Sequence, residues 1–184
     1  MNIRNIAAIF ASAALLLGAC SPGKLESVES DRDTIMKLVE AHDLDPENCV
    51  FQTRVNDGRE FDSLDCEFDY VEIDLAESFV DAAHTRVYHR LYVVLKSARP
   101  FYETSDIYGD RYDLPFELLD TYGVPESFVL NCAENNIDDS TLTQVPGRSF
   151  RMMCLRSVRS TGSRVTIGVI SEDRSVSGSA KSQK

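Results

Sequence analysis

Four cysteines carry the clearest chemistry in this 184-residue chain: Cys49, Cys66, Cys132 and Cys154. Their thiols could form disulfides, bind zinc or act as nucleophiles. The sequence lacks the short C-x-x-C and H-x-x-x-H spacings that are typical of zinc sites. An even number of cysteines instead predicts two disulfides, which would leave none of these four thiols free for catalysis.

A hairpin turn indicates which cysteines pair. The dipeptide Asp57-Gly58 is a strong signal for a two-residue type I′ turn, and Cys49 and Cys66 lie equally far from its centre. Counting back along both strands makes them a directly opposed, non-hydrogen-bonded pair, whose Cα atoms lie about 4.5 Å apart. That separation suits a disulfide. The sequence therefore predicts Cys49–Cys66, which leaves Cys132–Cys154 as the second bridge.

The same register assigns side chains to the two faces of the hairpin. Phe51, Val55 and Leu64 share the face of the two cysteines. The residues that face away are polar: Gln52, Arg54, Asn56, Arg59 and Ser63. The alternation of side chains and the turn thus predict one register.

The N-terminus contains a fifth cysteine in a distinctive setting. Arg4 gives a positive start, Ile6–Leu17 is uncharged, and the small residues Gly18 and Ala19 directly precede Cys20. This segment resembles the lipobox of bacterial lipoproteins. The resemblance implies diacylation of the Cys20 thiol, cleavage before Cys20 and acylation of the new amino group. Acyl chains on Cys20 would then anchor the mature chain to a bilayer.

The resemblance covers about the first twenty residues and gives a location rather than an activity. Ser21, where an Asp tends to retain lipoproteins at the inner membrane, favours an outer-membrane anchor with the body facing the periplasm. The periplasm is oxidising, which suits the two disulfides. Two alternatives remain for the apolar run: an ordinary secretory signal with Cys20 incidental, or a transmembrane helix. A membrane span needs about 20 apolar residues, so Ile6–Ala19 is too short.

Length and charge limit the remaining function classes. We expect a lipoprotein signal peptide over residues 1–19, a lipidated tether over 20–29, one domain over 30–174 and a disordered tail over 175–184. The mature chain keeps 30 Asp and Glu but only 18 Lys and Arg, because the signal segment contains Arg4 alone, so its net charge is −12. Such a body repels nucleic acid, which argues against a DNA or RNA partner.

The charge is unevenly distributed along the chain. Residues 26–77 contain 17 acids and four bases, whereas residues 141–184 contain eight bases and two acids. We interpret this asymmetry as two complementary surfaces that face each other within the fold. The alternative is a basic binding strip that consists of Arg148, Arg151, Arg156, Arg159 and Arg164.

The pattern of apolar residues predicts an α+β domain with an antiparallel sheet of hairpins, two main helices and two disulfides. The predicted elements are a helix over Asp31–His42 capped by Ser30, a hairpin from Cys49 to about Ile73, a long helix from Asp74 to Ala98, a short helix over Pro115–Tyr122, a strand over Ser127–Cys132 and a hairpin of Phe150–Val158 with Val165–Ile170. Tyr88–Lys96 is rich in β-branched and aromatic residues, so a strand is the alternative there.

Few residues offer catalytic or metal chemistry. The sequence has no nucleophile elbow and no phosphate-binding loop, and we assign no catalytic residue, cofactor or metal. Two acidic clusters lack the EF-hand spacing, so we take them as solvated rather than calcium-binding; they are Glu103, Asp106, Asp110 and Asp113, and Asn135, Asn136, Asp138 and Asp139. His42, His84 and His89 are expected to be structural.

Tyrosine and arginine are enriched at binding hot spots, so an aromatic loop and the basic hairpin supply the candidate binding residues. These are Tyr102, Tyr108, Tyr112, Arg151 and Arg156. The sequence thus favours a lipid-anchored periplasmic module that binds a protein partner without catalysis, as an assembly factor, an inhibitor or an immunity protein would. An acidic body suits a basic partner. The alternatives are an envelope hydrolase with a carboxylate pair and a carrier of Ca²⁺ or a small ligand.

Overall fold

The computed structural model describes residues 25, 27–56, 59–79, 86–98, 110–134, 141–144, 150–159, 162–171 and 174–175. The helices are α1 (Val28–Ala41), α2 (Asp113–Thr121) and α3 (Glu126–Glu134). The strands are β1 (Cys49–Asn56), β2 (Arg59–Glu67), β3 (Val71–Phe79), β4 (Arg86–Ser97), β5 (Thr141–Gln144), β6 (Phe150–Arg159), β7 (Gly162–Ser171) and β8 (Arg174–Ser175).

The strands form one antiparallel sheet in the order β1-β2-β3-β4-β7-β6-β5, with β8 paired to the start of β4. Strands that follow each other in the chain are neighbours from β1 to β4 and again from β5 to β7, as in two meanders joined between β4 and β7. The helices pack against one face: α1 on β2 and β3, α2 on β4, and α3 on β6 and β7. The α+β class predicted from the sequence is therefore confirmed.

The core lies between the helices and this face of the sheet. Side chains alternate along each central strand, so that Ile73, Leu91 and Val169 are buried there together with Ile35 and Leu118 from the helices. Leu25 also belongs to this core cluster. It lies within the predicted tether, so the chain already packs against the domain at residue 25.

The first hairpin matches its predicted register. Cys49 pairs with Cys66 and forms a disulfide, and the ladder runs without interruption to Asn56 opposite Arg59. Asp57 and Gly58 lie outside the described residues. Cys132–Cys154 is the second disulfide, as predicted, and it joins α3 to β6. The hairpin of β6 and β7 was also predicted.

The first hairpin ends earlier than predicted. The chain reverses after Glu67, where the Phe68 N–H donates to the Val71 carbonyl over 2.9 Å and β3 begins. Leu64 is buried as expected, but Phe51 and Val55 are exposed although they share its face. They lie on β1, which forms the edge of the sheet.

The first predicted helix exists, but it begins three residues earlier. Ser27 caps α1, since its side chain accepts from the Ser30 N–H over 3.2 Å, whereas Ser30 itself lies within the helix. The shift brings Val28 and Asp31 onto the buried face beside Ile35. An N-cap three residues upstream fits the same periodicity, because three residues are close to one helical turn.

The predicted helix from Asp74 to Ala98 is wrong, because β3 and β4 occupy most of this range. Apolar residues at 87, 91 and 95 satisfy both the helical and the strand period. The alternative strand over Tyr88–Lys96 is the structure adopted. The predicted strand over Ser127–Cys132 is also wrong, since α3 buries Val129, Cys132 and Ala133 at helical spacing.

Among the described residues, no helix combines the length and the apolar character that a membrane crossing would require.

Candidate functional site

An open groove of about 340 Å³ lies between α2 and α3. Its apolar lining consists of Phe116, Val124 and Val129, and its acidic lining consists of Asp113, Glu117, Asp120 and Glu126. The lining thus contains four carboxylates and no Lys or Arg. The groove combines an apolar floor with a strongly negative rim, which is the arrangement expected for a cationic, partly apolar ligand.

Helix α2 positions the acidic rim through its two faces. Leu114, Leu118 and Leu119 are buried against the core. Asp113, Glu117 and Asp120 are spaced four and three residues apart on the other face, so their carboxylates line one side of the helix. The rim of the groove therefore follows directly from the amphipathic pattern of α2.

The turn between the two helices supplies the floor. Gly123 adopts a φ of 72°, and its N–H donates to the Asp120 carbonyl over 2.7 Å. The Val124 N–H donates to the Leu119 carbonyl over 2.9 Å, which completes a Schellman motif. Val124 is thereby turned back beneath α2, and Pro125 then starts the turn into α3.

Two contacts between α1 and α2 hold the groove in place. The Tyr122 hydroxyl, on a side chain only 2% exposed, donates to Asp31 Oδ1 over 3.0 Å. Burial and the nearby Asp31 carboxylate both raise the pKa of Tyr122, so the phenol stays protonated. At the rim, His42 Nε2 lies 2.9 Å from Glu117 Oε2. This histidine ties the end of α1 to the acidic lining.

The second disulfide fixes the other wall. Cys132 on α3 and Cys154 on β6 are both buried, and their Cα atoms lie 5.7 Å apart. Nearby, Arg156 Nη1 donates to the Glu134 carbonyl at the end of α3 over 3.2 Å. The position of α3, and with it Val129 in the groove, is thus set by a covalent link to the sheet.

The candidate binding residues that the structure describes, Tyr112, Arg151 and Arg156, do not line this groove. Tyr112 is buried, and its hydroxyl donates to the Lys96 carbonyl over 2.9 Å, so it belongs to the core rather than to a contact surface. Arg151 and Arg156 are half-buried on β6. Tyr102, Tyr108 and the lipidation residue Cys20 lie outside the described residues.

In the part of the chain that the structure describes, the acidic and the basic segments of the sequence contact each other. Arg164 on β7 forms an ion pair with Glu72 on β3, and Lys96 Nζ lies 3.2 Å from the same carboxylate. Residues from the acidic and the basic part of the chain therefore meet at this point on the outer face of the sheet. Among the other residues of the basic strip, Arg148 and the side chain of Arg159 lie outside the described residues.

Two carboxylates face each other on the same outer surface. Asp65 on β2 is directly opposite Asp74 on β3. Burial raises the pKa of Asp74, the Arg90 guanidinium opposes this shift, and the neighbouring Asp65 adds to it. Arg90 Nη2 lies 3.4 Å from Asp74 Oδ2, and Arg54 Nη2 lies 3.5 Å from Asp65 Oδ2. Each of the two carboxylates thus lies close to a different arginine.

The described residues include no cluster that could bind a metal ion, and the side chain of His89 contacts a carboxylate. No three His, Cys, Asp or Glu side chains converge there in a manner that could hold a metal ion. His89 is buried on β4, with Nε2 2.9 Å from Glu77 Oε1, and its backbone N–H donates to Ser171 Oγ over 2.8 Å. Outside that part of the chain lie His84 and several residues of the two acidic clusters, which are Glu103, Asp106, Asn135, Asn136, Asp138 and Asp139. Asp113 belongs to the groove.

Sequence reasoning did not identify the groove, although one signal was present. Glu117 and Asp120 lie at helical spacing within the helix predicted over Pro115–Tyr122, and Asp113 lies four residues before Glu117. Glu126 follows directly after the Gly-Val-Pro turn. The missing information was that Ser127–Cys132 forms a second helix, since a strand there would have left no opposite wall. Comparisons with protein families, with curated proteins and with solved structures find no match to this chain.

Proposed function

We propose that this chain is a lipid-anchored periplasmic protein that binds a basic partner protein through the acidic groove between α2 and α3. The observation that carries the proposal is the combination of four carboxylates with an apolar floor in one groove. The lipobox-like segment at Cys20 supplies the anchor, and the two disulfides suit an oxidising compartment. No catalytic role is assigned to the groove.

The lining indicates the chemistry of the partner segment. A lysine or arginine side chain has a long apolar stem and a charged head. Its stem would pack on Phe116 and Val124, and its head would reach the carboxylates of Asp120 and Glu126. A groove of this volume accommodates a few side chains, so it would receive the anchor residues of a larger interface. Opposite charges would also accelerate the encounter between the two proteins.

A binding experiment with a defined probe tests this proposal. The probe is a fluorescently labelled, lysine-rich amphipathic helical peptide, measured against the full chain by anisotropy. We expect Asp120→Asn with Glu126→Gln to weaken binding about ten-fold, equivalent to about 1.4 kcal/mol. The matched control is Glu47→Gln with Glu60→Gln, which removes two exposed charges outside the groove. Equal effects of the two pairs would contradict the proposal, as would binding that does not weaken at higher salt.

A second experiment tests the partner in the envelope. A photoreactive phenylalanine analogue at position 116 should crosslink a basic protein, and the same analogue at the exposed position 47 should not. The crosslink at position 116 should be lost in the Asp120→Asn and Glu126→Gln background. A crosslinked partner that is acidic, or one captured equally from both positions, would count against a charge-driven interface.

A second candidate function follows from the carboxylates of Asp65 and Asp74. An envelope hydrolase of the glycosidase type needs two carboxyl groups, one of them with a raised pKa. Asp74 has a raised pKa and lies opposite Asp65. This candidate predicts release of soluble fragments from purified cell-wall glycan by the full chain, and loss of that release in Asp74→Asn. No release by the unaltered chain would eliminate it.

A further inference from the structure

The outer edge of β1 is a long strand edge that no described strand covers. The strand order ends at β1, and its eight residues pair with β2 in one uninterrupted register. The opposite end of the sheet is β5, which has only four residues. Natural proteins usually protect a long edge with Pro, a bulge or charged side chains, especially Lys. β1 contains no Pro and no Lys, and its ladder has no bulge. Its one charged side chain is Arg54, whose Nη2 lies 3.5 Å from Asp65 Oδ2 on β2.

The cysteine pair determines which backbone groups point outward. The Cα atoms of Cys49 and Cys66 lie 4.0 Å apart, as in a non-hydrogen-bonded antiparallel pair. The N–H and C=O of Cys49 therefore point away from β2. Because hydrogen-bonding direction alternates along a strand, the same holds for Phe51, Thr53 and Val55. These three residues present their backbone donors and acceptors at the free edge.

The side chains of the edge are apolar as well. Val55 is 68% exposed, Val50 is 55% exposed and Phe51 is 39% exposed, although Val55 and Phe51 lie on the face that forms the core further along the sheet. The Arg32 guanidinium lies 4.8 Å from the centre of the Phe51 ring and holds that ring from the helix side. An exposed apolar edge of this kind is a template for another strand.

We propose that the occupant of this edge is a second copy of the chain, paired β1 to β1 about a two-fold axis at Thr53. An isologous contact requires a self-complementary strand. With Thr53 opposite Thr53 of the second copy, Phe51 lies opposite Val55, and Val55 lies opposite Phe51. The three pairs that involve Phe51, Thr53 and Val55 would each exchange two backbone hydrogen bonds, which gives about six in total.

The polar face of the same register is also complementary. Gln52 lies opposite Arg54 of the second copy. The Gln52 Nε2 already donates to Asp65 Oδ2 over 3.0 Å, so its carbonyl oxygen is the atom that faces the arginine donors. Arg54 itself lies close to Asp65. On each side of the two-fold axis, an amide oxygen thus faces a guanidinium group.

The neighbouring register does not have this complementarity. With Gln52 on the axis, Phe51 would face Thr53, and Arg54 would face Val50. That arrangement places an aromatic ring against a hydroxyl and a charge against an exposed valine. The complementarity of both faces therefore selects the register with Thr53 on the axis.

Crosslinking through one introduced cysteine in the full chain tests the register. An antiparallel hydrogen-bonded pair has Cα atoms about 5.5 Å apart, which is within disulfide range. Thr53→Cys should therefore give a disulfide-linked dimer on mild oxidation, at a yield at least ten-fold above Val50→Cys. The two Val50 positions lie about 20 Å apart in the proposed register, since Val50 is three residues from the axis. Both variants retain Cys20, so the comparison is matched. Equal yields from the two positions would overturn the proposal.

Sedimentation equilibrium of the full chain in density-matched detergent tests the interface without a new thiol. Val55→Lys should weaken self-association at least ten-fold. At concentrations where the chain is monomeric it should leave the melting temperature unchanged, since Val55 is an exposed side chain. Val158→Lys on β6 is the control, because Val158 is 41% exposed and lies away from β1. A monomer at all concentrations, or equal weakening by both lysines, would overturn the proposal.

The salt dependence of binding distinguishes the β1 interface from the groove. Each copy is acidic, so higher salt should strengthen pairing of β1 with β1 and weaken binding of the lysine-rich peptide. Self-association that falls with salt as peptide binding does would contradict the edge interface. Failure of either interaction alone leaves the other intact, because β1 and the groove share no lining residue.

Discussion

Removal of the Cys132–Cys154 disulfide should destabilise the domain more than removal of Cys49–Cys66. The bridges close segments of 22 and 17 residues. Chain entropy alone then predicts losses of about 3.4 and about 3.1 kcal/mol, which are nearly equal. The structure makes them unequal, because the two bridges join parts of the fold that are held together to different degrees.

Cys49–Cys66 links two strands that a continuous ladder already aligns up to the turn. The hairpin stays partly ordered by that ladder, so the bridge removes less entropy than the loop length implies. Cys132–Cys154 instead joins a short helix to a sheet strand, and both residues are buried. Two alanines there would also leave a cavity in the core. We expect a loss of about 3.4 kcal/mol or more for this pair and less than about 3 kcal/mol for the hairpin pair.

Urea unfolding of Cys132→Ala with Cys154→Ala and of Cys49→Ala with Cys66→Ala measures both losses. In a domain of this size the larger loss corresponds to a fall of roughly 7 to 14 °C in the melting temperature. Hydrogen exchange should increase in α3 for the first pair only. Equal losses, or unchanged exchange in α3, would refute the reasoning that the location of a bridge and not its loop length sets its contribution.

Three further predictions concern helix ends, a buried hydrogen bond and a half-buried acid. Asp43 follows α1 in the left-handed conformation, with a φ of 53°, as Gly123 follows α2 with a φ of 72°. Asp43→Gly should therefore stabilise the domain and Gly123→Ala should destabilise it, each by about 1 kcal/mol in urea unfolding. The opposite signs would contradict this explanation. Tyr122→Phe removes the donor to Asp31 and should lower the free energy of unfolding by about 1.5–3 kcal/mol. Asp31→Asn should cost less in the Tyr122→Phe background than in the unaltered chain. Equal costs in the two backgrounds would argue against coupling between the two side chains. Burial raises the pKa of Asp74 above its ordinary 3.8, so the folded chain binds this proton more tightly than the unfolded chain. Relative to Asp74→Asn, the unaltered chain should therefore lose stability as pH rises from 3.8 through the raised pKa, and a gain over that window would be inconsistent with burial as the cause.

Local signals predicted the hairpins and the disulfides. The Asp57-Gly58 dipeptide sets a two-residue loop, and alternation then fixes every pair back to Cys49 opposite Cys66. These features depend on neighbours in the sequence, so a single chain contains the information. The lipobox-like segment at Cys20 is equally local, and the anchor that it implies remains a prediction.

The path of the chain between residues 74 and 98 could not be decided locally. Its apolar residues fit a helix and a strand, and the outcome depends on β2 and β7, which flank the β3–β4 pair on either side. The groove depends on tertiary structure in the same way, because its two walls come from α2 and from a segment that we predicted as a strand.

The sequence by itself thus determined the class of fold, both disulfide pairs and the acidic character of the body. Tertiary structure decided which of these residues meet and which are exposed. Phe51 and Leu64 share one face of one hairpin, yet Leu64 is buried and Phe51 is not, because β2 has a neighbour on each side and β1 has a neighbour on one. Periodicity assigns a side chain to a face, but only the packing of distant elements determines whether that face is covered.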